Sequence, residues 1–382
     1  MLKGNDFLKN HSFLTALLAL SLGVMLLFKS AELSEGIRYG LSLCSYSVIP
    51  SLFPFMVLSV FICKSSAAEF FAVLLRPITK ILRIPSASAG ALLASLIGGY
   101  PTAAKCINDL VLEGLLDRKT ASKMLCYCVN AGPPFLISAV GIAVFGNIKT
   151  GFLLFAAQLV SSFTMAIFIA FFSDKTDENQ LPRRIYKPNS VCLVESVISA
   201  AESCFNMCAF IVLSAGVLEL LQSGNVFSAL SGSPLAKALL CGFCEVTAGT
   251  VAAGEIKGSL GIMIAGAIAS FSGVSVILQV AAATEKSNVS LAPFIVSRFF
   301  HAGITAVIIG FFLSLSPKTA AAFSIKTETA EAVLSASAPA AVSLLCMAAL
   351  FLLSFVPPKS EKEPLFSRIK SKFAGFGHSQ IK

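Results

Sequence analysis

Charge is what this sequence has least of. Asp, Glu, Lys and Arg make up 13% of its 382 residues, about half the share of a soluble domain, which argues against a soluble enzyme. Histidine is scarcer still: His11, His301 and His378 are the only three. The eleven cysteines include the spacings Cys126/Cys128, Cys204/Cys208 and Cys241/Cys244, all inside apolar runs with no histidine nearby. A zinc or iron–sulfur centre needs convergent thiolates in a polar pocket. Cysteine reads here as a small apolar residue within helix bundles. No nucleophile–base constellation, metal cluster or phosphate loop is present, so neither an enzymatic reaction nor a cofactor is expected.

What the chain does have is apolar length. Hydrophobic residues make up 56% of it and its mean hydropathy is +0.83. The apolar runs are continuous, without the short alternation of an outer-membrane barrel. The expected fold class is therefore an all-α polytopic membrane protein. The 29 basic against 20 acidic residues, +9 net, then mark cytoplasmic loops rather than nucleic-acid binding.

The pattern divides the chain into six parts. Residues 1–39 hold an apolar run, 13–28, read as a retained first helix rather than a cleaved leader, and an outer loop. Residues 40–172 form a first unit. It has an apolar stretch at 40–63 with Pro50 and Pro54, and an amphipathic stretch at 69–84 bearing Arg76, Lys80 and Arg83. A segment at 87–104, too short to cross where ~20 residues are needed, is broken at Gly98-Gly99-Tyr100-Pro101. Next come a surface-like stretch at 105–123, an apolar segment broken at Asn130–Pro134, and a clean span at 150–172. Residues 173–190 are the most polar stretch and read as a cytoplasmic linker. Residues 191–315 repeat the plan, with breaks at Glu245–Gly249 and Ser270–Gly273. Residues 316–356 read as an outer loop and a last helix, and 357–382 as a basic tail.

Four matches between the halves keep their order: 51–59 with 206–214, 90–95 with 237–242, 130–137 with 271–278, and 166–172 with 306–312. The offset falls from 155 (51 to 206) to 140 (166 to 306), part of it across 105–123. Together they point to duplication. The linker carries Lys175, Arg183, Arg184 and Lys187, and the tail six Lys or Arg. Both are expected inside by the positive-inside rule, as are both termini. The loop 316–337, with Lys318 and Lys326 against Glu328 and Glu331, is expected outside. Matching spans then run in opposite senses, which predicts two inverted repeats around a midplane site.

The breaks predict where that site lies. Irregular backbone at membrane depth is tolerable only where protein or a water-filled cavity satisfies it. Half-helix N-termini carry about half a positive charge and suit an anion. The candidate substrate-binding residues are accordingly Gly98, Gly99, Tyr100, Pro101 and Lys105, Asn130, Gly132 and Pro133, Gln158, Glu245 and Thr247, Ser272 and Gly273, and Arg298. Arg298 aligns with Gln158 and His301 with Ser161 at the 140 offset. Intramembrane ionisable groups are costly and functional by default. Two plainer readings stay open: that Gly and Pro only kink packed helices, and that Arg298 snorkels to the interface.

The run 92–141, with Gly98-Gly99-Tyr100-Pro101 followed by Lys105, and Asn130–Pro134, resembles the sporulation integral membrane protein YlbJ family, also called stage V sporulation protein V. The similarity extends over roughly 40–355. The resemblance implies nucleoside-recognition (Gate) domains, re-entrant hairpins and a likeness to concentrative nucleoside transporters. It further implies movement of dipicolinic acid from the mother cell across the outer forespore membrane. Tyr100, Phe135 and Phe271 would then line the aromatic ring of this dianion, and Arg298 or Lys105 would supply charge. A nucleoside carrier, using Asn130, Gln158 and Glu245, and a non-transporting sporulation scaffold remain alternatives. The coupling ion, H+ or Na+, and the oligomeric state stay open.

Overall fold

Where no water can satisfy the backbone, helices do so internally, and the long apolar runs of this chain become helices. The computed structural model describes residues 16–17, 19–21, 23–24, 26–173, 188–224 and 232–315. Among these residues there is no strand. The run 13–28 is described only in part. Residues 174–187 of the linker, the loop 316–337, the helix expected at 338–356 and the basic tail lie outside the described residues.

Among the described residues five helices are long and apolar enough to cross a bilayer by length and composition: Ser30–Lys64, Ile148–Phe171, Asn189–Gln222, Ser259–Ser287 and Ala292–Ser314. The first, α1, begins well before the apolar stretch expected at 40–63. Pro50 and Pro54 do not end it: Pro50 falls in the first turn after a π-turn at Cys44–Val48, and Pro54 lies inside the helix. Short helices α2 (Ala67–Leu74) and α3 (Arg76–Leu82) follow. The chain then bends by 109° between α3 and Ser86–Ile97, at a left-handed Arg83 (φ 56°).

The next helices form a hairpin. The first arm, α4 (Ala89–Ile97), begins where a Cβ on Gly90 would sit 3.2 Å from Cys63 Cα, and ends with Gly98 against Ser59. The second, α5 (Tyr100–Leu112), returns to the same level of α1: the free Cys106 thiol hydrogen-bonds to Cys63, and Asp109 pairs with Lys64 at 3.3 Å. Then comes a broken span. Its first half, α6 (Arg118–Cys128), is capped by Asp117, whose carboxylate accepts from Thr120 N at 2.9 Å. Burial would raise that carboxyl, but its hydrogen bonds outweigh burial and hold it below the usual range. The second half, the π-helical α7 (Pro134–Val144), packs closely on the start of α8 (Ile148–Phe171) through Gly141 and Gly151. At its other end α8 returns to α3 and α6, where Arg83 Nη1 donates to Ser173 O and Lys123 Nζ to Ser173 Oγ.

The same order of elements follows from Asn189. Helix α9 (Asn189–Gln222) runs antiparallel to α1. Cys192 Sγ lies 3.5 Å from Lys64 O, Cys44 Sγ lies 3.8 Å from Cys208 O, and Gly36 abuts Ala215 and Gly216. A second hairpin, α10 (Pro234–Cys244) and α11 (Val246–Ala253), folds back so tightly that a Cβ on Gly249 would sit 2.6 Å from Gly242 N. Residues seven apart in a straight helix are ~10 Å apart along the axis. Lys237 and Glu255 close its base at 2.9 Å, near the Ser30 end of α1, whereas the first hairpin has its base at the Lys64 end. A second broken span, α12 (Ser259–Phe271) and α13 (Gly273–Thr284), starts at the Ser30 end. Finally α14 (Ala292–Ser314) starts at the Lys64 end, where Ser122 Oγ donates to Ser290 O at 2.6 Å, and runs antiparallel to α12. Phe163, Phe168, Phe205, Phe299, Phe300 and Phe311 point outward, as lipid contact requires.

Candidate functional site

Each hairpin tip is made by local chemistry. At the first, Gly99 has φ 78° and ψ −174°, a region essentially closed to side chains. Pro101 then sits in the first turn of α5, where its missing amide costs nothing. At the second, Glu245 is extended and caps α11, its Oε2 accepting from Ala248 N at 2.7 Å. The breaks are built differently. Residues 129–132 leave the helical path between α6 and the Pro133-Pro134 start of α7. Ser272 and Gly273 take two successive left-handed conformations, φ 79° and 74°.

Tips and breaks then meet in pairs. A Cβ on Gly132 would lie 3.3 Å from Gly99 N and from Ile97 O. A Cβ on Gly273 would lie 3.0 Å from Gly242 O and 3.4 Å from Glu245 Cα. Glycine is needed because backbone touches backbone. Between the tips lies a cleft of about 40 Å³ lined by Gly98, Gly99, Tyr100, Pro101, Gly132, Phe135, Glu245, Val246, Thr247, Gln279 and apolar side chains of α1, α9 and α13. Through Val48, Leu52, Phe135 and Thr247 it adjoins a 380 Å³ cavity reaching Gly254 and Glu255 at the Ser30 end. A further 230 Å³ cavity, lined by Tyr39, Glu219, Lys237 and Glu245, approaches from the same end.

Seven predicted residues therefore line one cleft: Gly98, Gly99, Tyr100, Pro101, Gly132, Glu245 and Thr247. Phe135 joins them, and Pro133 opens the adjacent half-helix. The Tyr100 hydroxyl donates to Ala269 O at 2.6 Å, tying the first tip to α12. Gly273 meets the second tip through backbone, and Ser272 is fully buried beside it.

The other predicted residues are engaged elsewhere. Lys105 lies 3.9 Å from Asp109 and 3.8 Å from Glu202, on the Lys64 side of the first hairpin. Phe271 packs with Phe243 and Phe299. Asn130 donates to Tyr127 O at 2.8 Å and accepts from Ser162 at 2.9 Å, while Gln158 donates to Ala131 O at 3.0 Å. The Ser162 hydroxyl also lies 3.2 Å from His301 Nε2. These bonds hold the first break in shape. Arg298 has no exposed surface, so it does not snorkel. Its guanidinium lies 4.8 Å from the Phe294 ring centre and donates to three backbone carbonyls, those of Cys126, Val129 and Ser270. Sequence reasoning missed Gln279, a buried amide in the cleft whose Nε2 donates to Ser275 Oγ at 3.3 Å and whose Oε1 has no partner; an amide side chain in the otherwise apolar run 276–283 was its signal.

Among the described residues no group of His, Cys, Asp or Glu is arranged to hold a metal. No family model matches the chain, and no solved structure matches it. Among curated proteins, the sporulation integral membrane protein YlbJ of Bacillus subtilis (strain 168) is 24% identical over 310 residues. The match covers 72% of this chain and 76% of that protein. This supports the resemblance to the YlbJ family: the chain is a multi-pass integral membrane protein related to a sporulation protein.

Proposed function

We propose that this protein is a carrier for a small organic anion, dipicolinate by the resemblance, moved from the mother cell across the outer forespore membrane. The supporting observation is the meeting of two hairpin tips and two broken spans at one cleft, with the hairpins based at opposite ends of the bundle. We read the halves as inverted copies enclosing a midplane site. The Lys64 end, with Arg76, Lys80, Arg83, Arg118, Lys119 and Lys123 near it, is cytoplasmic in this reading, as are both termini.

The cleft offers an anion a specific place. The half-helices α5, α7, α11 and α13 all begin there, each N-terminus carrying about half a positive charge. Glu245 already supplies a carboxylate to α11. Glycine stands at the corresponding place before α5, so that N-terminus has no carboxylate of its own and suits one from the cargo. The ring would lie along Phe135 in the larger cavity. A nucleoside is the second reading, favoured by the neutral and acidic groups of the cleft, Gln279 and Glu245.

Purified protein in liposomes, offered labelled dipicolinate and labelled uridine, tests both. Dipicolinate uptake is expected, reduced at least about tenfold by Gly99→Val, whose side chain would cover the free amides. Uptake of uridine alone would establish the second reading, and uptake of neither would leave a scaffold.

A further inference from the structure

In carriers built from broken helices, unwound carbonyls and half-helix C-termini commonly hold a small coupling cation. Among the described residues the two breaks supply two such ends, the C-termini of α6 and α12, and they face each other across α14. A side chain already occupies the space between them. Arg298 Nη1 donates to Val129 O at 2.8 Å and to Ser270 O at 3.3 Å, and Nη2 donates to Cys126 O.

The charges match without any acid. Each helix C-terminus carries roughly half a negative charge, so two carry about one. One guanidinium balances them. Among the described residues no carboxylate forms an ion pair with Arg298, and its Nε has no partner. A fully buried cation would otherwise be expelled or left without its counter-charge. Here the backbone of both breaks supplies that counter-charge.

We propose that Arg298 is a tethered cation: its guanidinium fills the seat that a mobile coupling ion would take, so this protein binds no sodium between its two breaks. The guanidinium also joins the break of the first half to that of the second, so the two move together. This deepens the carrier reading by naming how its site is charged, and it rests on that reading for its meaning in transport.

Its test needs no transport. The detergent-purified full chain is unfolded thermally in sodium, potassium and choline chloride at equal ionic strength. The wild-type midpoints are expected to coincide. Arg298→Gln, with the seat vacated, is expected to lose about 5 °C or more and to become more stable in sodium or potassium than in choline. Arg298→Lys keeps a charge there and should recover much of the loss, whether or not the Gln variant folds. Selective stabilisation of the wild type by sodium overturns the proposal. So does a folded Gln variant indifferent to alkali cations, or a Lys variant as damaged as the Gln variant. Failure of uptake would sink the carrier and leave these midpoints unchanged, so the two failures are distinguishable.

Discussion

Gly249 and Gly242 show how much a single hydrogen atom in place of a methyl decides. A Cβ on Gly249 would meet the Gly242 backbone nitrogen at 2.6 Å, and backbone there cannot yield without opening the hairpin. A Cβ on Gly242 would meet the Ile268 side chain at 2.7 to 2.9 Å, which can turn. Both alanine variants overpack, at a cost of about 1–3 kcal/mol. Gly249→Ala is expected at the upper end and Gly242→Ala at the lower, read as the order of their thermal midpoints. Equal midpoints would mean the arms separate at no cost. The glycines at the tips were legible in the sequence because turn and break residues carry their own chemistry. The partners of Arg298 were not, since Cys126, Val129 and Ser270 act through carbonyls that any residue would supply.

At the scale of elements, the two hairpins make the most exposed expectation. Their bases lie at opposite ends of the bundle, one beside the Lys64–Asp109 pair and one at the Lys237–Glu255 pair. In a variant freed of its native cysteines, Glu113→Cys and Glu255→Cys should react with a membrane-impermeant thiol reagent from opposite faces. Labelling of both from one face would rule out the opposed hairpins. The breaks at 98–101, 130–134 and 270–273 could be read from Gly and Pro, and the structure puts helix ends at all three. The reach of α1 could not. Its polar start, Ser30 to Arg38, looks like a loop by composition, and it is helical because Gly36 and Gly40 let it lie close against α9. The pairing of Lys105 was hidden for a related reason: its place on α5 was visible, but Glu202 is on a helix 97 residues later (202 − 105).

For the whole molecule, the sequence made the class and the order of elements plain, because bilayer thickness imposes a fixed length on any apolar crossing. It could not show beside which end of the bundle the cavities lie. That follows from unequal arms: α5 has 13 residues and α11 has 8, or about 20 Å against 12 Å of helix at 1.5 Å per residue. The shorter arm leaves room for the 380 Å³ cavity beside it.

That inequality has an electrical consequence. A membrane potential falls across insulating material and hardly at all along a wet vestibule. With the cavity reaching the tips from the Ser30 end, most of the voltage is dropped over the long-armed, Lys64 half. The proposed dianion cargo, travelling from the Ser30 end to the cleft, would do almost no electrical work. Carrying it onward would involve nearly the full potential, about 2.3 kcal/mol per charge per 100 mV. Binding from the Ser30 side should therefore be voltage-insensitive, while turnover in vesicles should change steeply with an imposed potassium diffusion potential. A half-saturation concentration that shifts with voltage as strongly as the maximal rate would place the barrier at the other end.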